Sequence, residues 1–283
     1  MTDTLSDRRF RQVAVLIERD IGIQLPPAKR TMVEGRLRKR ARSLGMMDVD
    51  AYCGALFDDG LLETEYQHVI DMVTTNKTDF FREAEHFDFL SRVAVPQLMG
   101  ARGRADRPLK IWSAAASTGA EAYTIAMVLA ELARHGHAGL GFRILGTDIS
   151  SQVLDVARRA VYPWDAMAPV PPPLRQRYVM RHRDPGRAEC RIVPELRAAA
   201  SFHLLNLMET SYGVDGDIDV IFCRNVLIYF DRPTQEAVLA RLSSHLRPGG
   251  FLIVGHSETA AGAALRGMRS VMSTIWQREE GRS

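Results

Sequence analysis

Apolar positions recur at helical spacing from about Asp7 to Glu85, with no strand-like alternation between them. In "RRFRQVAVLIERDIG", Phe10, Val13, Leu16 and Ile17 share one face, and Gly22 marks the stop. A second helix, "AKRTMVEGRLRKRARSLG", ends at Gly45, and "DVDAYCGALF" and "LETEYQHVIDMV" give two more. The pattern then changes. Short apolar runs ("LKIWSAA", "FRILGTD", "FHLLNL", "IDVIFCRN", "FLIVGHSE") alternate with helical stretches such as "AEAYTIAMVLAELARHG", "SSQVLDVARRAVY" and "PTQEAVLARLSSHLRPGG". Strands alternating with helices of ten or more residues predict βαβ units and a parallel sheet covered on both faces.

The expected organisation is a small all-helical domain over 1–88, a Gly/Arg/Pro-rich linker over 89–108, and a doubly wound α/β domain over 109–283. Residues 162–201 break the alternation: a proline cluster precedes two strand-like pieces around Asp184, Pro185 and Gly186, a plausible hairpin turn. A small antiparallel insertion is expected there.

The composition, 46% hydrophobic and 25% charged, is that of a globular protein. No apolar run approaches the roughly 18 residues that cross a bilayer, and the polar start lacks a signal-peptide core. Cys53, Cys190 and Cys223 are far apart and lack metal-ligand spacing, which fits reduced thiols in the cytoplasm. A net charge of +3 does not announce a nucleic-acid partner.

Candidate chemistry concentrates in "IWSAAASTGAEAY", a strand-to-helix turn where ligands bind in doubly wound sheets. Only Gly119 remains of the glycines that would let backbone amides close on phosphates, which disfavours dinucleotides. Glu121 enters the first turn of the following helix, where it either caps the helix or faces a ligand. Asp148 ends the next strand, the usual place of a ribose-binding carboxylate. Two acids and no phosphate cradle suit S-adenosylmethionine, which carries a sulfonium, a ribose and no phosphate.

Six blocks in register, "TTNKTDFFRE", "WSAAASTGAEAYTIAM", "GTDIS", "FHLLNL", "DVIFCRNVLIYFD" and "PGGFLIVGHSE", resemble chemotaxis-receptor methyltransferases of the CheR type. The resemblance implies a Rossmann-like S-adenosylmethionine-dependent methyltransferase domain with a β-subdomain, preceded by a small helical domain. It implies formation of glutamate methyl esters on the cytoplasmic domain of chemoreceptors, with S-adenosylhomocysteine as product. By motif, Asn76, Thr78 and Arg82 would contact the cofactor, joined by Gly119, Glu121 and Asp148. Asn206 and Leu207 would flank the adenine, and Arg224 and Asn225 would lie near the methyl donor. Arg82 and Tyr229 are the residues the family points to for catalysis. His256 in "GHSE" is read as a buried structural histidine rather than a base.

The first loop departs from the family's Gly-Cys-Ser-Thr-Gly-Glu-Glu-Pro-Tyr: Ala115 stands for a glycine, Ala120 for an acid and Ala122 for a proline. If position 115 needs φ > 0, alanine costs roughly 1–2 kcal/mol there. On the second helix Arg36, Arg38, Lys39, Arg40 and Arg42 form a basic run, either a solvated face or, as the family implies, a dock for an acidic receptor bundle. In some family members the β-subdomain adds a receptor's C-terminal peptide as an extra strand. The alternatives are a methyltransferase with another substrate and a non-catalytic module that binds cofactor or receptor as a signal.

Overall fold

The computed structural model describes residues 4–101, 107–137, 139–184, 186–258 and 265–280. Helix α1 (Asp7–Ile21) opens on Ser6, whose hydroxyl accepts the Arg9 N–H, and closes on Gly22 in the left-handed region, φ 70°. Gly22 also admits a close neighbour: a Cβ there would lie 2.6 Å from Met208 Sδ and 3.0 Å from the Phe230 ring. Glycine alone meets both demands without strain. Helices α2 (Arg30–Ser43), α3 (Val49–Asp58) and α4 (Leu62–Val73) complete a bundle. Its core joins Phe10, Val13, Leu16 and Ile17 to Val33, Leu37, Tyr52 and Val69.

The boundary falls earlier in the chain than the sequence suggests. Residues 85–101 form α5 (Glu85–Phe89), a π-helical turn (Leu90–Ala94) and α6 (Val95–Ala101). Leu90, Ala94 and Leu98, four residues apart, are buried in the α/β core, which Phe80 and Phe87 also join. The expected linker over 89–108 is therefore a helix of the α/β domain at its start, while 102–106 lie outside the described residues. The bundle's own core ends at Val73.

The chain continues through β1 (Leu109–Ala114), α7 (Ala120–Arg134), β2 (Phe142–Asp148) and α8 (Ser151–Arg159). A small antiparallel sheet of β3 (Val161–Pro163), β4 (Val179–Arg181) and β5 (Glu189–Ile192) follows, in order β3-β5-β4, with α9 (Pro172–Tyr178) between its first two strands. Three short strands thus replace the two expected pieces. Of the expected hairpin turn, Gly186 donates its N–H to Asp184 Oδ1, and Pro185 lies outside the described residues. The insertion also ends before 201: α10 (Pro194–Ala198) leads into β6 (Ala200–Leu204), which pairs in parallel with β2 of the main sheet.

Next come β7 (Ile218–Cys223), α11 (Arg232–His245), β8 (Leu246–Val254), β9 (Met268–Met272) and β10 (Ile275–Arg278). The main sheet has the order β6-β2-β1-β7-β8-β10-β9. Its first five strands are parallel and its last two antiparallel. The pattern of the sequence did not reveal β9 and β10. Strand order reverses between β1 and β7, so their carboxyl ends, at Ala114 and Cys223, flank the crevice where such sheets bind ligands. All three cysteines are buried and free.

Candidate active site

The turn after β1 carries an unusual backbone. Ala115 (φ 59°), Ser117 (φ 51°) and Gly119 (φ 83°) all lie in the left-handed region. Two hydrogen bonds hold it against β2: the Ala116 N–H to Thr147 O at 2.8 Å, and the Ser117 N–H to Asp148 Oδ2 at 2.9 Å. The Ser150 N–H takes the other Asp148 oxygen at 2.9 Å. Asp148 is only 7% exposed, and burial pushes its pKa up despite these backbone donors. The Ser117 hydroxyl donates to Asn76 O at 2.9 Å, tying the segment after α4 to the turn.

Beside it runs a chain of buried charges. Glu121 Oε1 accepts from Ser113 Oγ at 2.6 Å, and its Oε2 pairs with Arg224 Nη1 at 2.9 Å. The other arm of Arg224, a side chain only 2% exposed, reaches Glu83 Oε2 at 3.1 Å and Arg82 O at 2.5 Å. Asn225 Nδ2 donates to Glu83 Oε1 at 3.1 Å. Burial alone would raise the Glu83 pKa, but the Asn225 hydrogen bond and the Arg224 charge outweigh it, and the net shift is downward. The loop after β7 is braced by Glu258, whose carboxylate accepts the N–H groups of Asn225 (2.8 Å), Leu227 (2.6 Å) and Gly255 (2.8 Å). Burial pushes Glu258 up, opposed by those donors.

One pocket gathers most of the residues singled out in the sequence: Asn76, Thr78, Arg82, Glu121, Asp148, Asn206, Leu207, Arg224, Asn225 and Tyr229, with Ala115 beside them. Gly119 does not line it. A Cβ at Gly119 would meet Ala157 Cβ at 2.9 Å and the Phe202 ring at 3.2 Å, so this glycine serves the turn and the packing of α7 on its neighbours. Asn206 lines the pocket, but its amide is engaged, donating to Asp20 O at 2.6 Å and accepting the Met208 N–H at 2.9 Å. Tyr229 O accepts the Gln24 N–H, and the Lys29 ammonium sits 5.4 Å from the Tyr229 ring centroid. The helical domain thus supplies part of the wall, including Ile21, Ile23, Leu25 and Lys29.

The basic run on α2 divides in two. Arg36 donates to the carbonyls of Met72, Val73 and Thr74 at the end of α4. Arg40 grips Glu65 with two hydrogen bonds of 2.7 and 2.6 Å, and Tyr52 donates to the same carboxylate. These two guanidiniums are spent inside the bundle. Arg38 pairs with Glu34 one turn away. Lys39 and Arg42 are exposed. His256 is not the buried structural histidine expected: its side chain is 55% exposed and pairs with Glu85, whereas the buried one is His86.

Sequence reasoning overlooked Lys29, Ser117, Glu83 and Glu258. Glu83 and Glu258 are the closing letters of "TTNKTDFFRE" and "GHSE", so the blocks held them without assigning them work.

A family model described as "CheR methyltransferase, SAM binding domain" matches residues 76–274, and one described as "CheR methyltransferase, all-alpha domain" matches 8–74. The chain belongs to the CheR methyltransferase family. It is 40% identical over 267 residues to chemotaxis protein methyltransferase 2 of Pseudomonas aeruginosa, covering 94% of this chain and 91% of that one. It is 41% identical over 254 residues to the chemotaxis protein methyltransferase of Escherichia coli, covering 90% and 85%. A solved S-adenosylmethionine-dependent methyltransferase from Methanosarcina mazei aligns at 16% identity, covering 51% of this chain and 50% of that one, with a TM-score of 0.31.

This CheR-family chain is accordingly an S-adenosylmethionine-dependent methyltransferase of chemotaxis. The pocket fits the cofactor. Asp148 and Glu121 are buried or nearly so, whereas the cations Lys29 and Arg82 are partly exposed. The turn offers acids and few glycines, not a phosphate cradle. Arg224 Nε, buried in the wall, has no hydrogen-bond partner among the described residues, a donor left for a ligand's acceptor.

Proposed function

We propose that this chain esterifies glutamate side chains on the cytoplasmic helices of a chemoreceptor, acting in the cytoplasm and releasing S-adenosylhomocysteine. The observation that carries this reading is the pairing, in one pocket, of the acids at the carboxyl ends of β1 and β2, Asp148 buried and Glu121 nearly so, with Lys29, Arg82 and Tyr229, which suit an anionic substrate and are partly open to solvent. When bound, S-adenosylmethionine supplies an activated methyl group for displacement by a carboxylate oxygen. A glutamate side chain is ionised at neutral pH, so the site needs positioning and electrostatics more than a strong base. Asp148 would hold the ribose hydroxyls with its remaining oxygen lone pairs, and Arg224 would meet the carboxylate of the cofactor's amino-acid end. Asn76, Thr78 and Asn225 complete the polar wall, and Leu207 would pack on the adenine. Arg82 draws in the substrate carboxylate and Tyr229 orients it.

Receptor docking falls to the outward side of α2, centred on Lys39 and Arg42, since Arg36 and Arg40 are held inside the bundle. The three-stranded sheet has β4 on one edge, where a receptor's C-terminal peptide would add as a strand. The test is transfer of labelled methyl from S-adenosylmethionine to receptor-containing membranes. Label released by mild base supports the ester. Base-stable label, or none, overturns this reading.

A further inference from the structure

Outside the cofactor pocket, Glu83, His86 and His256 bring one donor atom each to within 4.8 Å of one another. None of the three lines that pocket. His86 is 1% exposed, and its Nδ1 has no hydrogen-bond partner among the described residues. A buried ring nitrogen without a partner is uncommon and calls for an explanation. Nδ1 stands 3.5 Å from Glu83 Oε2, close to the spacing of about 3.3 Å between two ligands of one tetrahedral ion with bonds of roughly 2.0–2.1 Å. The opposite nitrogen, Nε2, lies 2.8 Å from Thr274 Oγ1. Thr274 Oγ1 can accept an N–H from Nε2, and that tautomer leaves Nδ1 with a lone pair, the usual outer arrangement of a metal-bound imidazole. His256 packs edge-on against His86, centroids 5.4 Å apart, and Glu85 pairs with its Nε2. One ring nitrogen of His256 already lies within 4.8 Å of the donor atoms of Glu83 and His86.

We propose that Glu83, His86 and His256 form a three-ligand site for a borderline divalent cation of the zinc class, with the fourth position open. Two imidazoles and one carboxylate are the donor set that such ions take, whereas magnesium and calcium prefer oxygen alone. Glu83 Oε2 is also an Arg224 partner, so an ion there draws on the network beside the transfer pocket.

The test uses the full chain, stripped of metal by chelator and dialysis, titrated with Zn2+ against a chromophoric chelator and with Co2+ as a spectroscopic probe. One ion per chain is expected, with the intense visible bands of low-coordinate Co2+. His86→Gln risks the fold, so His256→Ala and Glu83→Gln carry the test. Each should weaken binding about tenfold or more, with circular dichroism unchanged. No binding at near-millimolar metal overturns the site, and so does a smaller loss in either variant. The readout is independent of methyl transfer, so failure here leaves the reaction assignment standing.

Discussion

Replacing Ala115 by glycine should stabilise the chain. Ala115 sits at φ 59°, in the left-handed region, at the carboxyl end of β1. An L-alanine there costs about 1–2 kcal/mol, while glycine's freer unfolded chain takes back about 0.4–1 kcal/mol, for a net gain near 0.8 kcal/mol. For a chain of this size that corresponds to a rise of roughly 1–2 °C in Tm. Equilibrium urea denaturation and a thermal scan, both without cofactor, measure it. Ala114→Gly provides the contrast: one residue earlier the chain is still in β1 and the methyl is buried, so the same change should destabilise by about 1 kcal/mol. An Ala115→Gly variant no more stable than the native chain would refute the claim that this turn stores strain.

Arg82→Ala and Tyr229→Phe should each lower methyl transfer at least about tenfold, in line with a lost positioning contact, while calorimetry shows Tyr229→Phe still binding S-adenosylhomocysteine. Normal turnover in both would remove them from the reaction. Glu258→Ala leaves three buried N–H groups without their acceptor, so a loss of about 3–5 kcal/mol in denaturation is expected, and an effect under about 1 kcal/mol would show the loop self-supporting. Arg40's hydrogen bonds depress the Glu65 pKa below its ordinary value, with Tyr52 helping against burial. A depressed acid contributes stability that is complete above its unfolded value, 4.5, and is lost as pH falls through the lower folded value. Glu65→Gln should therefore flatten the acid limb of a stability–pH curve below pH 4.5, and an unchanged limb would contradict the pairing. Lys39→Glu should reduce transfer to receptor while leaving cofactor titration untouched; equal transfer would place the dock elsewhere.

The β1–α7–β2 unit was legible because period-two and period-3.6 patterns meet at a turn with one glycine and two acids. Much of the pocket's lining was legible because five of the six blocks contribute residues to it. Other features hid for physical reasons. On a helix of 3.6 residues per turn, position 40 lies only about 20° from position 33. Arg40 therefore shares the buried side of α2 with Val33, and the charge count alone mistook it for surface. The start of the α/β domain hid because Leu90, Ala94 and Leu98 precede a Gly/Arg/Pro-rich stretch that looks like a linker. His256 was misjudged because "GHSE" follows a buried strand, yet the chain turns outward at once. Strands β9 and β10 are short and mixed in polarity, and their pairing with β8 is long-range information.

The junction between helical bundle and sheet has a thermodynamic consequence. Gly22 abuts Met208 and Phe230, Asn206 holds Asp20 O, Gln24 bonds to Tyr229 O, and the pocket wall is drawn from both sides. A ligand filling that pocket touches two cores at once, so it acts as mortar between them. At a concentration of 100 Kd, occupancy adds about 2.7 kcal/mol to the folded state, and that gain is shared by the bundle and the sheet. Proteolytic resistance of the helical bundle should then rise with the concentration of S-adenosylmethionine.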